Sequence, residues 1–417
     1  MNRHQSESCG RHGMTQWIGR AALGGVVLAI WLLGGCSHRT TKSTVVPAVE
    51  IPAGSFAAQW KVDLPMRGTT LKQLCLNDDV VFACRSDNQC FWVNRKSGHT
   101  MTLADATTAT DTLFAPITLA DRVVFPSTSQ LSVFSREGRL AHRIPLRYSA
   151  SSSGVGDGRH VFIGVDHENG GRLIAVDTKE QPYEIAPWWE LMTRGQLSAK
   201  PAVLAHELFA GSRDGRVYAV RADNRAVVWQ NLETGYFRTG GEILADLKAD
   251  KDGVYVASMD TKLYCLKLDT GKITWVYHAG RPLRERSSPV VTTDTVYLYV
   301  PELGVAAIDK TGKKEVRTHR WVVAEGQQIL AYDEKCVYLR NEENQILAVD
   351  KQSGEIKYRS KRKDFVCFVT NESDKDNTIY AATAAGELYA IRPVPNAGAV
   401  GEWVFNAQPT TPLAAAK

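Results

Sequence analysis

Cysteine is the residue type in this 417-residue sequence whose spacing most directly constrains its chemistry. Six of the eight cysteines lie singly in the body of the chain, at positions 75, 84, 90, 265, 336 and 367. Cys84 and Cys90 flank a predicted hairpin turn at Asp87-Asn88. A two-residue turn there would point the two side chains to opposite faces of the sheet, so we expect no disulfide between them. The spacing therefore predicts buried free thiols.

Motifs for several common chemistries are missing. The sequence contains no His-Glu-x-x-His, Gly-x-Ser-x-Gly, P-loop or Cys-x-x-Cys pattern, and its ten histidines are dispersed. The glycine-rich residues 154–158 lie between predicted strands and fit a hairpin turn better than a phosphate loop. We therefore predict no enzyme activity, no catalytic residues, no metal site and no cofactor.

The overall charge argues against nucleic acid as a partner. The 50 basic and 45 acidic residues give a formal charge of +5, which is too even for the focused positive field that nucleic-acid binding needs. An apolar content of 44% is ordinary for a globular protein that buries a large core.

The first residues predict export. Arg3, Arg11 and Arg20 precede a thirteen-residue apolar run at 21–33, which at roughly 1.5 Å per residue is too short to span a bilayer. A basic start, an apolar middle and small residues before a cleavage site are typical of a signal peptide, which we place at residues 1–35. Met14 is an alternative start.

The end of this segment, Leu33-Gly34-Gly35-Cys36, resembles the lipobox of bacterial lipoproteins. The resemblance makes Cys36 the candidate lipid anchor, and Ser37 after it implies the outer membrane, facing the periplasm. The alternative is a plain signal peptide in which Cys36 is incidental. Residues 36–54 are polar and contain two prolines, and we interpret them as a flexible tether.

The elements that position the remaining residues follow from an internal repeat. An apolar group such as Leu-Tyr-Ala-Val ends at residues 93, 134, 176, 220, 266, 308, 349 and 391, so its copies are 41 to 46 residues apart. Each period contains four strand patterns separated by turns; in the fifth we place them at 242–245, 253–257, 263–267 and 273–277. Repeats of this length and content predict an all-β fold, an eight-bladed β-propeller of four-stranded antiparallel blades.

We place the propeller at residues 55–406 and a disordered tail at 407–417. The segment at 56–62 (FAAQWKV) is an extra strand before the first blade, and we expect it to pair into the last blade and close the ring. Alternatively, residues 402–405 fill that role.

One aromatic column is expected to dock neighbouring blades. Trp229, Trp275 and Tyr358 each lie nine residues after a repeat endpoint, which indicates a shared packing position. Trp188 and Trp403 lie twelve residues after theirs, so docking is a possible role for Trp188 as well.

The tails of the repeats, such as Asp269-Thr270-Gly271 followed by Trp275, resemble the PQQ-type repeat. A single lipidated propeller of this type resembles the BamB family, lipoprotein subunits of the outer-membrane β-barrel assembly machinery. The resemblance implies a non-catalytic scaffold that binds the periplasmic domains of the barrel-forming subunit through loops between the third, fourth and fifth blades. We expect the propeller to be monomeric.

The corresponding stretch here is 188–200 (WWELMTRGQLSAK), in which Leu191 and Arg194 match a Leu-x-x-Arg-Gly pattern of that contact. We take Trp189, Leu191 and Arg194 as candidate partner-binding residues. The acidic pair expected before the fifth blade is replaced by Phe237-Arg238-Thr239-Gly240. Residues 284–289 look similar to 194–201, so the pattern could instead be generic blade-entry sequence.

Two other functions remain open. Quinone-dependent dehydrogenases share the repeat. Those enzymes resemble one another in having a pair of adjacent cysteines near the cofactor, and no such pair occurs in this sequence. A propeller of this kind could also bind a small ligand or glycan in its central channel.

Overall fold

A computed structural model describes residues 56–77, 79–168, 170–179, 188–230, 233–373, 376–393 and 406–407 of the chain. The predicted signal peptide, Cys36, the tether, Trp403, residues 402–405 and the tail at 408–417 lie outside the described residues. Within those ranges, no helix is long and apolar enough to cross a bilayer.

Eight antiparallel sheets form an eight-bladed β-propeller, as the repeat predicts. The chain enters through β1 (Phe56–Asp63), which belongs to the last blade. Blade one contains β2 (Leu71–Leu76), β3 (Val80–Arg85), β4 (Gln89–Asn94) and β5 (Thr100–Asp105). Blade two contains β6 (Ile117–Thr118), β7 (Arg122–Pro126), β8 (Gln130–Ser135) and β9 (Leu140–Pro145). Blade three contains β10 (Val155–Gly156), β11 (His160–His167), β12 (Gly170–Asp177) and β13 (Trp189–Thr193).

The next three blades follow the same order of strands. Blade four contains β14 (Ala202–Leu204), β15 (Glu207–Gly211), β16 (Arg216–Arg221) and β17 (Tyr236–Arg238). Blade five contains β18 (Lys248–Asp250), β19 (Gly253–Ser258), β20 (Lys262–Leu266) and β21 (Ile273–His278), and the later β25 (Val316–Arg317) adds to it in parallel. Blade six contains β22 (Val290–Val291), β23 (Thr295–Val300), β24 (Gly304–Asp309) and β26 (His319–Val323).

The last two blades complete the ring. Blade seven contains β27 (Gly326–Tyr332), β28 (Cys336–Asn341), β29 (Ile346–Asp350) and β30 (Ile356–Arg359). Blade eight contains β31 (Phe365–Val369), β32 (Ile379–Thr383), β33 (Glu387–Pro393) and β1, and β34 (Asn406–Ala407) pairs in parallel with β1. A 3-10 turn (Glu285–Ser287) precedes blade six.

The first strand predicted for blade five is wrong. Residues 242–245 lie in the loop that enters the blade, and the strand is β18. Ile243 and Ala245 are nevertheless fully buried, because this loop packs into the core between blades. Burial of a loop therefore accounts for the apolar pattern that predicts a strand here.

In the part of the chain that the structure describes, the core consists of eight clusters, each of which fills the space between two neighbouring blades. For example, one cluster joins Phe82 and Trp92 of blade one to Phe125 of blade two, and another joins Trp60 of β1 to Val81 of blade one. The remaining six join the other neighbouring pairs around the ring. Stability is thus distributed over nearest-neighbour contacts, and a ring can grow to this size without one central core.

β1 closes the ring, as the sequence predicts. It pairs antiparallel with β33, from Phe56 opposite Pro393 to Asp63 opposite Glu387. Its alternate residues Phe56, Ala58, Trp60 and Val62 are buried, since one face of the strand packs against blades seven and one.

The hairpin at Asp87-Asn88 contradicts the prediction that Cys84 and Cys90 are unpaired. The loop has three residues, with Asn88 in the left-handed region at φ +62°, and Cys84 lies directly opposite Cys90. Three-residue hairpin loops usually consist of a type I turn followed by a left-handed residue. Compared with the predicted two-residue turn, the extra loop residue shifts the strand register by one position. The two thiols therefore form a buried disulfide. The prediction that these two cysteines are free is wrong.

Several tryptophans dock on a turn of the following blade. The indole Nε1 of Trp229 donates to the carbonyl of Leu268, three residues before Gly271. Gly271 has φ +66°, and a Cβ there would lie 2.6 Å from the Trp229 ring. The same arrangement places Trp60 on the turn of Gly98 and Trp321 on the turn of Gly354.

The other two members of the predicted aromatic column lie in different surroundings. Trp275 is buried, and the Arg317 guanidinium lies 5.6 Å from the centre of its ring. Tyr358 is half-buried against the cluster between blades seven and eight.

Candidate partner-binding surface on blades three and four

The outer strand of blade three, β13, presents the residues that the sequence singles out. Successive residues of a strand point to opposite sides. Trp189 and Leu191 point toward blade four and are half-buried in the cluster between the two blades. Met192, between Leu191 and the buried Thr193, points outward and is 60% exposed.

Trp189 is held as a docking residue. Its indole Nε1 donates to the carbonyl of Ala222 at 2.9 Å, and its ring lies 5.7 Å from that of Phe162. Ala222 lies three residues before Arg225, whose φ of +63° corresponds to the positive φ of the glycines in the other docking turns. Trp188, which is 48% exposed, instead stacks on His160 with ring centres 4.0 Å apart.

Arg194 is exposed at the point where the chain leaves β13 for blade four. Its backbone N–H donates to the hydroxyl of Tyr218 on β16, at 3.5 Å. Arg194 is also close enough to Tyr236 of β17 for its charge to act on that hydroxyl, and Arg238 lies two residues further along the same strand. Tyr218, Tyr236 and Arg238 are not among the predicted partner-binding residues. We call Met192, Arg194, Tyr218, Tyr236 and Arg238 the blade 3–4 surface.

The exposed charged side chains of this surface, Arg194 and Arg238, are both positive. The pKa of Tyr236 is lowered, first because the Arg216 guanidinium donates to its hydroxyl and further by the charges of Arg194 and Arg238. Arg216 lies 4.7 Å from the centre of the Tyr236 ring and pairs with Asp214, whereas Arg194 and Arg238 extend into solvent. Such a surface favours a partner with carboxylates.

The segment from Phe237 to Gly240 exposes one charged side chain, Arg238. Phe237 packs against Tyr264 at 5.4 Å, and the buried Thr239 donates to the carbonyl of Gly241. The backbone N–H of Gly240 donates to Asp260 at 2.7 Å. Where the resemblance implies acidic residues, this chain therefore has a basic one.

Two of the four free thiols in the described residues, Cys75 and Cys265, are deeply buried, whereas Cys336 and Cys367 are half-buried. Burial raises the pKa of Cys75 and of Cys265 to about 12, so both are protonated at neutral pH and poorly nucleophilic. Across the described ranges, no group of three or more His, Cys, Asp or Glu side chains is arranged to hold a metal ion.

Comparisons with known proteins include a family-model match that spans the residues of this surface. Residues 159–320, from blade three to blade six, match a PQQ-repeat family model described as outer membrane protein assembly factor BamB. A curated relative, outer membrane protein assembly factor BamB of Nitrosomonas eutropha, is 28% identical over 142 residues. That alignment covers 33% of this chain and 32% of the relative, so it spans about a third of the relative's length.

Solved structures share the fold at low identity. The crystal structure of BamB from Moraxella catarrhalis superposes with a TM-score of 0.61 at 18% identity, over 81% of this chain and 97% of that one. The computationally designed Ika8 protein superposes equally well at 13% identity, over 81% and 99%. The chain is thus an eight-bladed propeller of PQQ-type repeats that resembles BamB.

Proposed function

We propose that this protein is a non-catalytic, lipid-anchored interaction scaffold that assists the assembly of outer-membrane β-barrel proteins, as the name of its BamB relatives describes. Its partner is a barrel-assembly subunit that presents carboxylates to the blade 3–4 surface. The single observation that carries this proposal is the position of that surface inside residues 159–320, the part of the chain that matches the BamB family model.

The chemistry of the surface supports a protein partner. Met192 offers an exposed apolar side chain two residues before the exposed Arg194, and aromatic residues, methionine and arginine are enriched at protein interfaces. Leu191 and Trp189 lie beneath them and fix the outer strand to blade four. They act as supports for the surface rather than as its contact residues.

Two further features support a periplasmic location. The lipobox-like sequence ending at Cys36 would supply the anchor to the outer membrane. The disulfide between Cys84 and Cys90 fits an oxidising compartment such as the bacterial periplasm, since disulfides are rare in reducing ones.

Co-purification from the native envelope tests the proposal. The tagged protein is expected to retain a membrane barrel component, identified by mass spectrometry. A double variant, Arg194→Asp with Arg238→Asp, is expected to lose at least nine-tenths of it, because reversed charges repel the carboxylates of the partner. Arg139→Asp, at an exposed arginine of blade two, is the matched control and is expected to retain it.

Recovery of no barrel component with the unaltered protein would contradict the proposal. Equal recovery with the double variant and with the control would contradict the assignment of the blade 3–4 surface. Circular dichroism of each variant distinguishes loss of binding from loss of folding.

A further inference from the structure

A second feature lies away from the blade 3–4 surface, in a cavity of about 380 Å³ where blades six, seven and eight meet. First strands form its walls: Val290 of β22, Ile329 of β27 and, beyond the end of β31, Thr370. The loop before blade six contributes Arg286, and the ends of the second strands contribute Tyr299 and Arg340.

The cavity lies toward one face of the ring. Successive strands of a blade alternate in direction, so the loops that enter the first strands lie on the same face as the turns after the second strands. Arg286 and Gln327 lie near the loops that enter first strands. Tyr299 and Arg340 lie near the turns after second strands. The cavity therefore belongs to the face from which the chain also leaves β13 at Arg194.

Arg340 is unusual among the half-buried arginines. Its side chain makes no ion pair or hydrogen bond with the described residues, and its buried Nε has no partner there. Its guanidinium lies 5.6 Å from the centre of the Phe368 ring. By contrast, Arg85 and Arg362 pair with Asp87 and Asp364 at 2.6 Å. Charges that are taken out of water are normally paired, so an orphaned one needs an explanation.

A second cation faces the same cavity. Arg286 donates to the carbonyl and side-chain oxygens of Gln327 at 3.3 and 3.1 Å, and lies 4.8 Å from the centre of the Tyr299 ring. It has no carboxylate partner among the described residues. Burial, and then the positive charge of Arg286, lower the pKa of Arg340, although a guanidinium stays charged at neutral pH. Two like charges thus share a cavity without a neutralising carboxylate on its wall.

The remaining lining is suited to a small polar organic molecule. Gln328 and Thr370 contact one another at 3.5 Å, and with Ser288 they offer amide and hydroxyl groups. Glu342 is outside the lining but accepts a hydrogen bond from the Gln327 amide at 3.2 Å, and so helps to orient that amide. A volume of this size lies at the small end of ligand sites, which range over roughly 300–1,000 Å³.

We propose that this cavity binds a small organic oxyanion, a carboxylate or a phosphate, between the guanidinium groups of Arg286 and Arg340. Guanidinium groups match the geometry of both anions through paired hydrogen bonds. The amides and hydroxyls then hold the rest of the molecule, and Val290 and Ile329 cover its apolar part. The site does not depend on the proposed scaffold function and can be tested apart from it.

Calorimetric titration of the folded protein tests the site with three probes: inorganic phosphate, glucose 6-phosphate and citrate, each against sodium chloride of equal ionic strength. We expect saturable binding of at least one probe. Arg340→Gln and Arg286→Gln are each expected to weaken it at least tenfold, whereas Arg139→Gln in blade two leaves it unchanged. Binding of the phosphates alone identifies the ligand as a phosphate, and binding of citrate alone identifies a carboxylate.

Absence of heat with all three probes at 10 mM would overturn the proposal, as would equal binding by Arg340→Gln and the unaltered protein. Because removal of Arg340 relieves repulsion from Arg286, the Arg340→Gln protein is expected to melt no lower than the unaltered protein without ligand. A lower melting temperature would mean that Arg340 stabilises the fold by itself, and would also count against the site.

Discussion

At the scale of single residues, the docking of a tryptophan on the turn of the next blade is the contact that recurs most regularly. Trp60, Trp189, Trp229 and Trp321 each donate an indole N–H to a carbonyl three residues before a left-handed position. The sequence allowed an aromatic column to be predicted from spacing. It did not reveal the carbonyl acceptor, because that contact joins residues about 30 to 40 positions apart.

Trp229 provides a test of this contact. Trp229→Phe keeps most of the ring but leaves the Leu268 carbonyl without its donor, so we expect a loss of about 1–2 kcal/mol in unfolding free energy. Trp229→Ala also creates a cavity and is expected to cost about 3–5 kcal/mol. Urea denaturation measures both. Trp188→Ala, at a half-exposed ring, is the control, and an equal loss there would contradict the docking role.

For the cysteine pair of blade one, a one-residue error in the predicted strand register changes the prediction from a disulfide to two free thiols. Cys84 and Cys90 point to the same side of the sheet because their turn has three residues, and both are completely buried. We expect denatured, non-reduced protein to leave these two thiols unlabelled by iodoacetamide, and peptide mapping to recover the linked peptide. Cys265, a buried free thiol, becomes labelled on denaturation and serves as the internal control. Full labelling at positions 84 and 90 would contradict the disulfide.

At the scale of elements, the closure between blades eight and one depends on polar contacts as well as on β1. Arg95, in the last turn of blade one, donates to Asp376 at 3.0 Å, to Asn371 at 2.8 Å and to the hydroxyl of Tyr380 at 3.0 Å. Arg392 of β33 donates to the other oxygen of Asp376. The side chain of Asp376 is 23% exposed, so solvent screens these contacts only in part.

These contacts predict a pH dependence of stability. Burial alone would raise the pKa of Asp376, but hydrogen bonds from Thr378 and Arg392 and the charge of Arg95 lower it overall. A lowered pKa in the folded state stabilises the protein above the unfolded pKa of about 3.9, and this contribution is lost as pH falls through the folded value. We expect Asp376→Asn to cost about 1–3 kcal/mol at pH 7 and progressively less below about pH 4.

Denaturant melts at several pH values measure this difference. The exposed Glu334 of blade seven, changed to Gln, is the matched control. A cost of Asp376→Asn that stays constant down to pH 3 would show that its charge does not contribute to closure.

The apolar repeat in the sequence correctly predicts the third strand of every blade, because all eight repeat endpoints lie on those strands. They misplaced the first strand of blade five, where a buried loop has the apolar content of a strand. On β13 the same reasoning named Trp189 and Leu191 but missed Met192. Counting alternate residues from Trp189 would have assigned Met192 to the outer side.

At the scale of the whole molecule, the period of 41 to 46 residues predicts the ring because each blade repeats one supersecondary unit. The surfaces between blades could not be predicted in the same way. Arg194 meets Tyr218 only after two blades have packed, and the cavity of Arg286 and Arg340 requires three. Spacing along the chain identifies the repeated fold, whereas sites that combine blades depend on three-dimensional packing.

The central claim is that the blade 3–4 surface contacts a barrel-assembly subunit. Site-specific photo-crosslinking in the native envelope tests it most directly, with benzoylphenylalanine in place of Met192, which is 60% exposed. The same probe in place of Ile273, a 47% exposed residue on the outer strand of blade five, is the control. We predict a crosslink to a membrane barrel-assembly subunit from position 192 and none from position 273. Crosslinks of equal yield from both positions, or none to such a subunit from position 192, would contradict the account.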